Sequence, residues 1–302
     1  MNYPFKILVD SRSAVLGHGG SFTISLPETL HMKEDTALYV NNATLTNTFL
    51  STGTAIGSRN HYFYWVEKLA SSNVVFNRAT LPERSYDVTE LASELQTALN
   101  AASWFGDGLY TCVYNQSRQT ITISRPDDGS RSFFIPNETL LNDLSFQAQM
   151  TNTMTAGSVP YIVDWRNLQN SHGMFGLGRR TSVGLDFSQV MTLLTGPLFT
   201  TQETGAVDTR RAHNVYIHSQ ELSNQNVLGV AGSRSCICKI PVISAMGDVL
   251  HQSHSGHVYD FVDVSNRTFS VLTFELRDGE GNQLDLRGGT LSLELLFTSR
   301  PF

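Results

Sequence analysis

Apolar and polar residues alternate most regularly between Thr268 and Phe297. Leu272, Phe274 and Leu276 alternate with Thr273, Glu275 and Arg277. Leu284 and Leu286 flank Asp285, and Leu291, Leu293, Leu295 and Phe297 alternate with Ser292, Glu294 and Leu296. A period of two sends successive side chains to opposite faces of a strand, so each run has one apolar face. Gly279 to Gly281 and Gly288-Gly289 supply the backbone freedom of tight turns. The pattern predicts a three-stranded antiparallel meander whose apolar face the rest of the chain must cover.

Weaker versions of the pattern precede it. Phe5 to Asp10 is a short apolar run. Ser21 to Leu26 alternates Phe22, Ile24 and Leu26 before Pro27, which should stop the strand. Ala37 to Leu45 is a third strand, and its alternation shifts at Asn41-Asn42, the signature of a bulge. Tyr62, Phe63, Tyr64 and Trp65 do not alternate, and read as a strand packed in a core. From 87 to 102 the period changes. Val88, Leu91, Ala92, Leu95, Leu99 and Ala102 form one helical stripe, and Asp87 with Glu90 forms a capping box at its start. Leu109 to Tyr114 and Thr120 to Ser124 read as a hairpin. Asn137 to Arg180 is less regular, and Leu198 to Arg211 reads as a connection. Val215 to His218, Cys236 to Ile243 and Val258 to Val264 return to strand patterning, with Pro241 marking an edge or a strand end.

Composition narrows the function. Only 16% of the 302 residues are charged and the net charge is -6, so Ser, Thr and Asn fill the polar positions. That surface suits protein–protein packing, and it lacks the basic stripe of a nucleic-acid binder. No basic arm for packaging a genome is present, and no apolar run approaches the length of a membrane span. The first residues lack the apolar region of a signal peptide. The three cysteines, Cys112, Cys236 and Cys238, do not make a disulfide framework and fit folding in a reducing compartment. Sequons at Asn42, Asn115, Asn137 and Asn266 are read as chance in so Asn-, Ser- and Thr-rich a chain.

Candidate chemistry is sparse. His251, His254 and His257 have the spacing of a helical metal-ligand set, but Gly256 and the serines around them give loop composition, and solvated histidines are the reading. Cys236 and Cys238 share a strand face without a second ligand pair, as buried small hydrophobes. Asp278, Glu280 and Asn282 offer oxygens but lack the full calcium-loop pattern. Gly173 to Gly178 lacks the Lys-Ser/Thr ending of a phosphate loop and reads as a packed turn. No catalytic residue, cofactor site or metal site is assigned, and the chain is read as a non-enzyme.

Several stretches carry a family resemblance. They are Phe5-Lys-Ile-Leu-Val-Asp10-Ser-Arg12 followed by Ser21 to Leu26; Tyr86 to Leu99 followed by a hairpin; His213 to Glu221; Cys238-Lys-Ile-Pro241; and Phe274 to Gly281 followed by Gly288-Gly289. In order and spacing the chain resembles the minor capsid (penton) proteins of polinton-like viruses, virophages and adintoviruses. The resemblance implies an all-β single viral jelly roll with an α+β insertion. Residues 1–60 and 206–302 would build the roll, and 61–205 would be the insertion, with helix 87–102 and hairpin 109–124. It further implies a homopentamer at the icosahedral vertex of a double-stranded DNA virus. Its partners would be double jelly-roll major capsid protein and other minor capsid or vertex proteins. The protein would be made and assembled inside the host cell and reside in the virion, without direct nucleic-acid contact. A different class, a receptor- or glycan-binding β-sandwich, would use Tyr62, Tyr64, Trp65 and the histidine loop. A jelly-roll hydrolase would need carboxylates converging on one groove.

Overall fold

The computed structural model describes residues 4–53, 60–69, 74–153, 172–177, 200–210, 212–223, 233–254 and 260–300. The first strands are β1 (Phe5–Asp10), β2 (Leu16–His18), β3 (Ser21–His31), β4 (Thr36–Thr46), β5 (Tyr62–Leu69) and β6 (Val74–Thr80). Helix α1 (Val88–Ala102) precedes β7 (Thr111–Asn115), β8 (Thr120–Ser124) and β9 (Arg131–Phe134). Helices α2 (Glu138–Leu141) and α3 (Leu144–Thr153), a 3-10 turn (His172–Phe175) and β10 (Thr201–Glu203) follow. The last strands are β11 (Asn214–His218), β12 (Cys236–Pro241), β13 (Val249–Ser253), β14 (Val262–Asp263), β15 (Thr268–Arg277) and β16 (Leu291–Ser299). The chain divides into two compact units, one of residues 1–49 with 212–302 and one of 50–211.

The first unit is an antiparallel sandwich. One sheet runs β1-β16-β4-β13, with β14 beside β4, and the other runs β12-β11-β15-β3-β2. First pairs with last and inward from there: β1 with β16, β3 with β15, β4 with β13, β11 with β12. This is the ladder of one long antiparallel hairpin. Rolling it up adds the contacts β16·β4 and β11·β15 and creates two facing sheets. The unit is a single jelly roll. The chain between β4 and β11, the last two strands of the first half of that hairpin, contains the second unit.

Alternation decides the interior of the roll. Val9, Phe22, Leu38, Phe274, Leu293, Leu295 and Phe297 are all buried in one core drawn from both sheets. Phe5 stacks on Phe297 with ring centroids 4.8 Å apart. Removing each such side chain from water contributes about 1.5–3 kcal/mol. The ladder slips at Asn41, which is skipped between the pairs Asn42↔Glu294 and Val40↔Leu295. The bulge returns Val40 to the core face, which is why the sequence alternation shifts there.

Two strand expectations are corrected. The predicted meander from Thr268 to Phe297 does not form: β15 and β16 belong to opposite sheets. Leu284 and Leu286 are fully buried, but they lie in the connection that crosses between the sheets. Their alternation reflects two inward side chains rather than a ladder. This crossing passes so close to Gly20 that a Cβ there would stand 1.4 Å from the Leu284 carbonyl oxygen. Pro27 does not end its strand either. β3 continues to His31, and the proline sits in the register break between Ser25↔Val271 and Leu30↔Phe269, where no ladder donor is needed.

The second unit has two three-stranded sheets, β10-β8-β7 and β6-β5-β9. α1 starts with the capping box: Asp87 accepts from the Glu90 N–H, and Glu90 accepts from the Asp87 N–H. Its Leu91, Leu95 and Leu99 pack with Ile121, Ile123, Phe63 and Trp65. Tyr64 and Val66 face the other way, into a core with Phe76, Phe134, Phe146 and Met150. Burial on both faces is why Tyr62 to Trp65 is a continuous apolar run. The irregular stretch from Asn137 holds α2, which Asn137 caps by accepting from the Leu140 N–H. β10 lies within Leu198 to Arg211, the segment whose pattern reads as a plain connection.

Candidate functional site

The candidate ligands are engaged in local structure. His251 is exposed on β13, an edge strand where the sequence reads as loop, and His254 follows it with its ring 4.8 Å from that of Tyr39. His257 lies outside the described residues. Asp278 accepts from the N–H groups of Glu280 and Asn282 and from the Asn282 amide, at 2.8, 2.9 and 3.0 Å. These bonds build a turn around its carboxylate. Gly176 packs on Gly205, where a Cβ would come within 2.4 Å of the Gly176 oxygen, so the glycine-rich run is a packed turn. Burial pushes the Cys238 and Cys112 thiols up to about 12 and also raises Cys236, which leaves little thiolate for nucleophilic chemistry. Among the described residues no three His, Cys, Asp or Glu side chains gather to hold a metal.

The glycan platform is corrected at two of its three rings, Tyr62 being half-buried. Trp65 and Tyr64 are buried, with Tyr64 stacked on Phe76 at 5.4 Å and its phenol pushed to about 12 by burial. These rings contribute to two cores and offer no face to a sugar.

Sequence reasoning missed a buried polar centre at Glu67. Its carboxyl oxygens accept from the Ser103 hydroxyl at 2.6 Å, the Tyr110 hydroxyl at 2.8 Å, the Trp104 N–H at 2.8 Å and the Asn77 amide at 2.7 Å. Burial and the neighbouring Glu67 raise the Tyr110 phenol well above its ordinary range. Nearby, buried Arg125 donates to Asp107 at 2.8 Å and lies over the Phe105 ring at 4.4 Å. With four donors already aimed at Glu67, the group ties strand, helix end and hairpin together rather than waiting for substrate. The partners are ten or more positions away in sequence, so no local motif announces it.

The outer surface of the jelly roll carries the other unusual feature. Its exposed large apolar side chains, among the described residues, gather at two places. Leu8, Val15 and Leu16 sit on β1, β2 and the turn between them, the edge of both sheets on one flank. Ile243, Met246 and Val249 sit on β13 and the connection from β12, the edge of both sheets on the opposite flank. Val271 on β15 is the remaining one. Leu8 is 77% exposed and Ile243 84% exposed. The edge position follows from the rolled ladder, and the exposure from side chains on the solvent face of an edge strand. Soluble proteins usually protect such edges with charge. Apolar side chains there are the mark of a contact surface.

No described helix is long and apolar enough to cross a membrane. No protein-family model and no curated protein matches the sequence. Among solved structures, the chain is similar to a crystal structure of the selenomethionine-labelled mavirus penton protein. The likeness covers 99% of this chain and 100% of that one, at 10% identity and a TM-score of 0.49.

Proposed function

We propose that this chain is a structural capsid protein that forms homopentamers as the penton of an icosahedral double-stranded DNA virus. The observation that carries the reading is the pair of apolar flanks on opposite edges of one jelly roll. A closed ring needs a heterologous contact, in which one patch on each copy meets a different patch on the next. Leu8, Val15 and Leu16 are one such patch, and Ile243, Met246 and Val249 the other. The low charge of the chain fits a surface made to be covered. The order and spacing of the sequence segments that resemble penton proteins support the same reading.

In this reading the ring contacts belong to the roll built by the two chain ends. The inserted segment is left for other virion components, and double jelly-roll major capsid protein surrounds the vertex. The protein works by fit and carries out no catalysis. The test is to replace Leu8 or Val249 by Asp and weigh the assemblies. Each single change should abolish the ring while leaving the circular dichroism and melting temperature within error of the parent. Rings that survive both changes would refute the assignment of the flanks.

A further inference from the structure

The ladder between β5 and β9 ends at the pair Val66↔Phe134. Continuing that register would set Tyr64 opposite Pro136. Proline has no N–H, so the ladder cannot close there, and the strands part. The Ile135 backbone turns instead to Gln202, whose side chain accepts from its N–H at 2.8 Å and donates to its carbonyl at 3.1 Å. The Tyr64 N–H and the Pro136 carbonyl would be stranded in the interior, where an unmet polar group costs about 1–3 kcal/mol.

His172 fills the gap. Its Nε2 lies 3.0 Å from the Tyr64 nitrogen and its Nδ1 lies 2.7 Å from the Pro136 oxygen. The Tyr64 N–H can only donate, so Nε2 is the acceptor and carries no hydrogen. Nδ1 then holds the hydrogen and donates it to Pro136. The neutral ring replaces one missing rung of the sheet. It is fully buried, stacked on Phe63 with centroids 4.9 Å apart. The segment it belongs to is tied down through the Leu177 N–H to the His172 carbonyl, and through the Glu138 N–H to the Leu177 carbonyl.

We propose that His172 is an acid-sensitive clasp of the inserted unit: a proton on Nε2 turns the acceptor into a donor, parts Tyr64 from Pro136 and releases residues 172–177. The titratable and charged groups on the surrounding elements are the Tyr64 phenol on β5, Arg78 on β6 beside that phenol, Glu138 in α2, and Asp208, which is paired with Arg210 at 2.9 Å. None of them sets the proton affinity of the ring. Burial does, and holds its pKa down at about 4. A chain released from this fold regains the ordinary value of 6.5. The clasp is therefore at full strength above pH 6.5 and weakens as the pH falls towards 4. The inference stands apart from the capsid reading, because it concerns the inserted unit alone.

The test is hydrogen exchange on the full chain at pH 6.5 and pH 4.0, corrected for intrinsic rates, in the parent and in His172→Gln. Glutamine can accept and donate across the same gap without titrating. In the parent, protection of the Tyr64 amide and of residues 172–177 should fall by about two orders of magnitude between the two conditions. The fall in the variant should be at most severalfold. Equal protection of the parent at both pH values, or an equal fall in both proteins, overturns the proposal. Should the variant not fold, the ring of His172 in the parent is followed by NMR. Protonation coincident with exposure of Tyr64 supports the clasp, and exposure while the ring stays neutral overturns it.

Discussion

The jelly roll and the inserted unit are held together by different physics. The ion pairs of the roll lie at its surface, Lys6 with Glu294, Arg12 with Asp10, Arg277 with Glu275 and Arg300 with Asp263, while Asp278 is buried in the turn it builds and His218 on β11. The roll's interior is an apolar core between two ladders. The inserted unit buries Glu67, Arg125 and His172 among its aromatic side chains. There, strands and helices are fixed to one another by polar side chains that reach across the chain. Both units bury apolar faces, and the inserted unit adds donors and acceptors that must find one another. The neutral, buried ring of His172 makes one of those polar clasps sensitive to acid.

Three substitutions distinguish the two units. The largest effect is expected at the polar centre. Glu67→Leu strands the Ser103, Tyr110, Trp104 and Asn77 donors together, and should destabilise the inserted unit by about 3–5 kcal/mol. Chemical denaturation should show a lost or early transition, with exchange protection failing in residues 62–69 and 111–124 before β15 and β16. If all strands fail together, the two units do not unfold separately. In the roll, Phe297→Ala removes a fully buried ring and its stacking on Phe5, at a cost of about 3 kcal/mol or somewhat more. That loss should be nearly the same at pH 7 and pH 5, since the ring packs within the apolar core. A strong pH dependence would place polar chemistry where only packing is described. The smallest change is at α1. Asp87→Ala removes one half of the capping box and should cost about 1 kcal/mol, read as a small drop in melting midpoint.

The same contrast explains what was legible in the sequence. The faces of β15, β16, β3 and β4 could be read because alternation is local, and so could the bulge at Asn41 and the cap at Asp87. Sheet membership could not, because a period of two marks a face and not a neighbour. That is why Leu284 and Leu286 imitate a strand and why β15 and β16 looked like partners. β13 was hidden because only Leu250 of Val249-Leu-His-Gln-Ser253 turns firmly inward, as an edge strand permits. Its exposed Val249 and His251 then read as loop. The apolar flanks went unseen for a related reason: an exposed Leu8 or Val249 looks in sequence like any core residue. Glu67 and His172 were invisible because their partners are far away, and for His172 they are backbone atoms of Tyr64 and Pro136 that no pattern of side chains reports.

The proposed penton rests on self-association through two unlike edges of the roll. Native mass measurement of the purified chain across a range of concentrations, with class averages of the same sample, tests it most directly. The prediction is a discrete species of five times the 33.4 kDa chain, seen as rings with fivefold symmetry. A chain that stays monomeric at every concentration, and leaves the fivefold vertices of particles built with it empty, would contradict it.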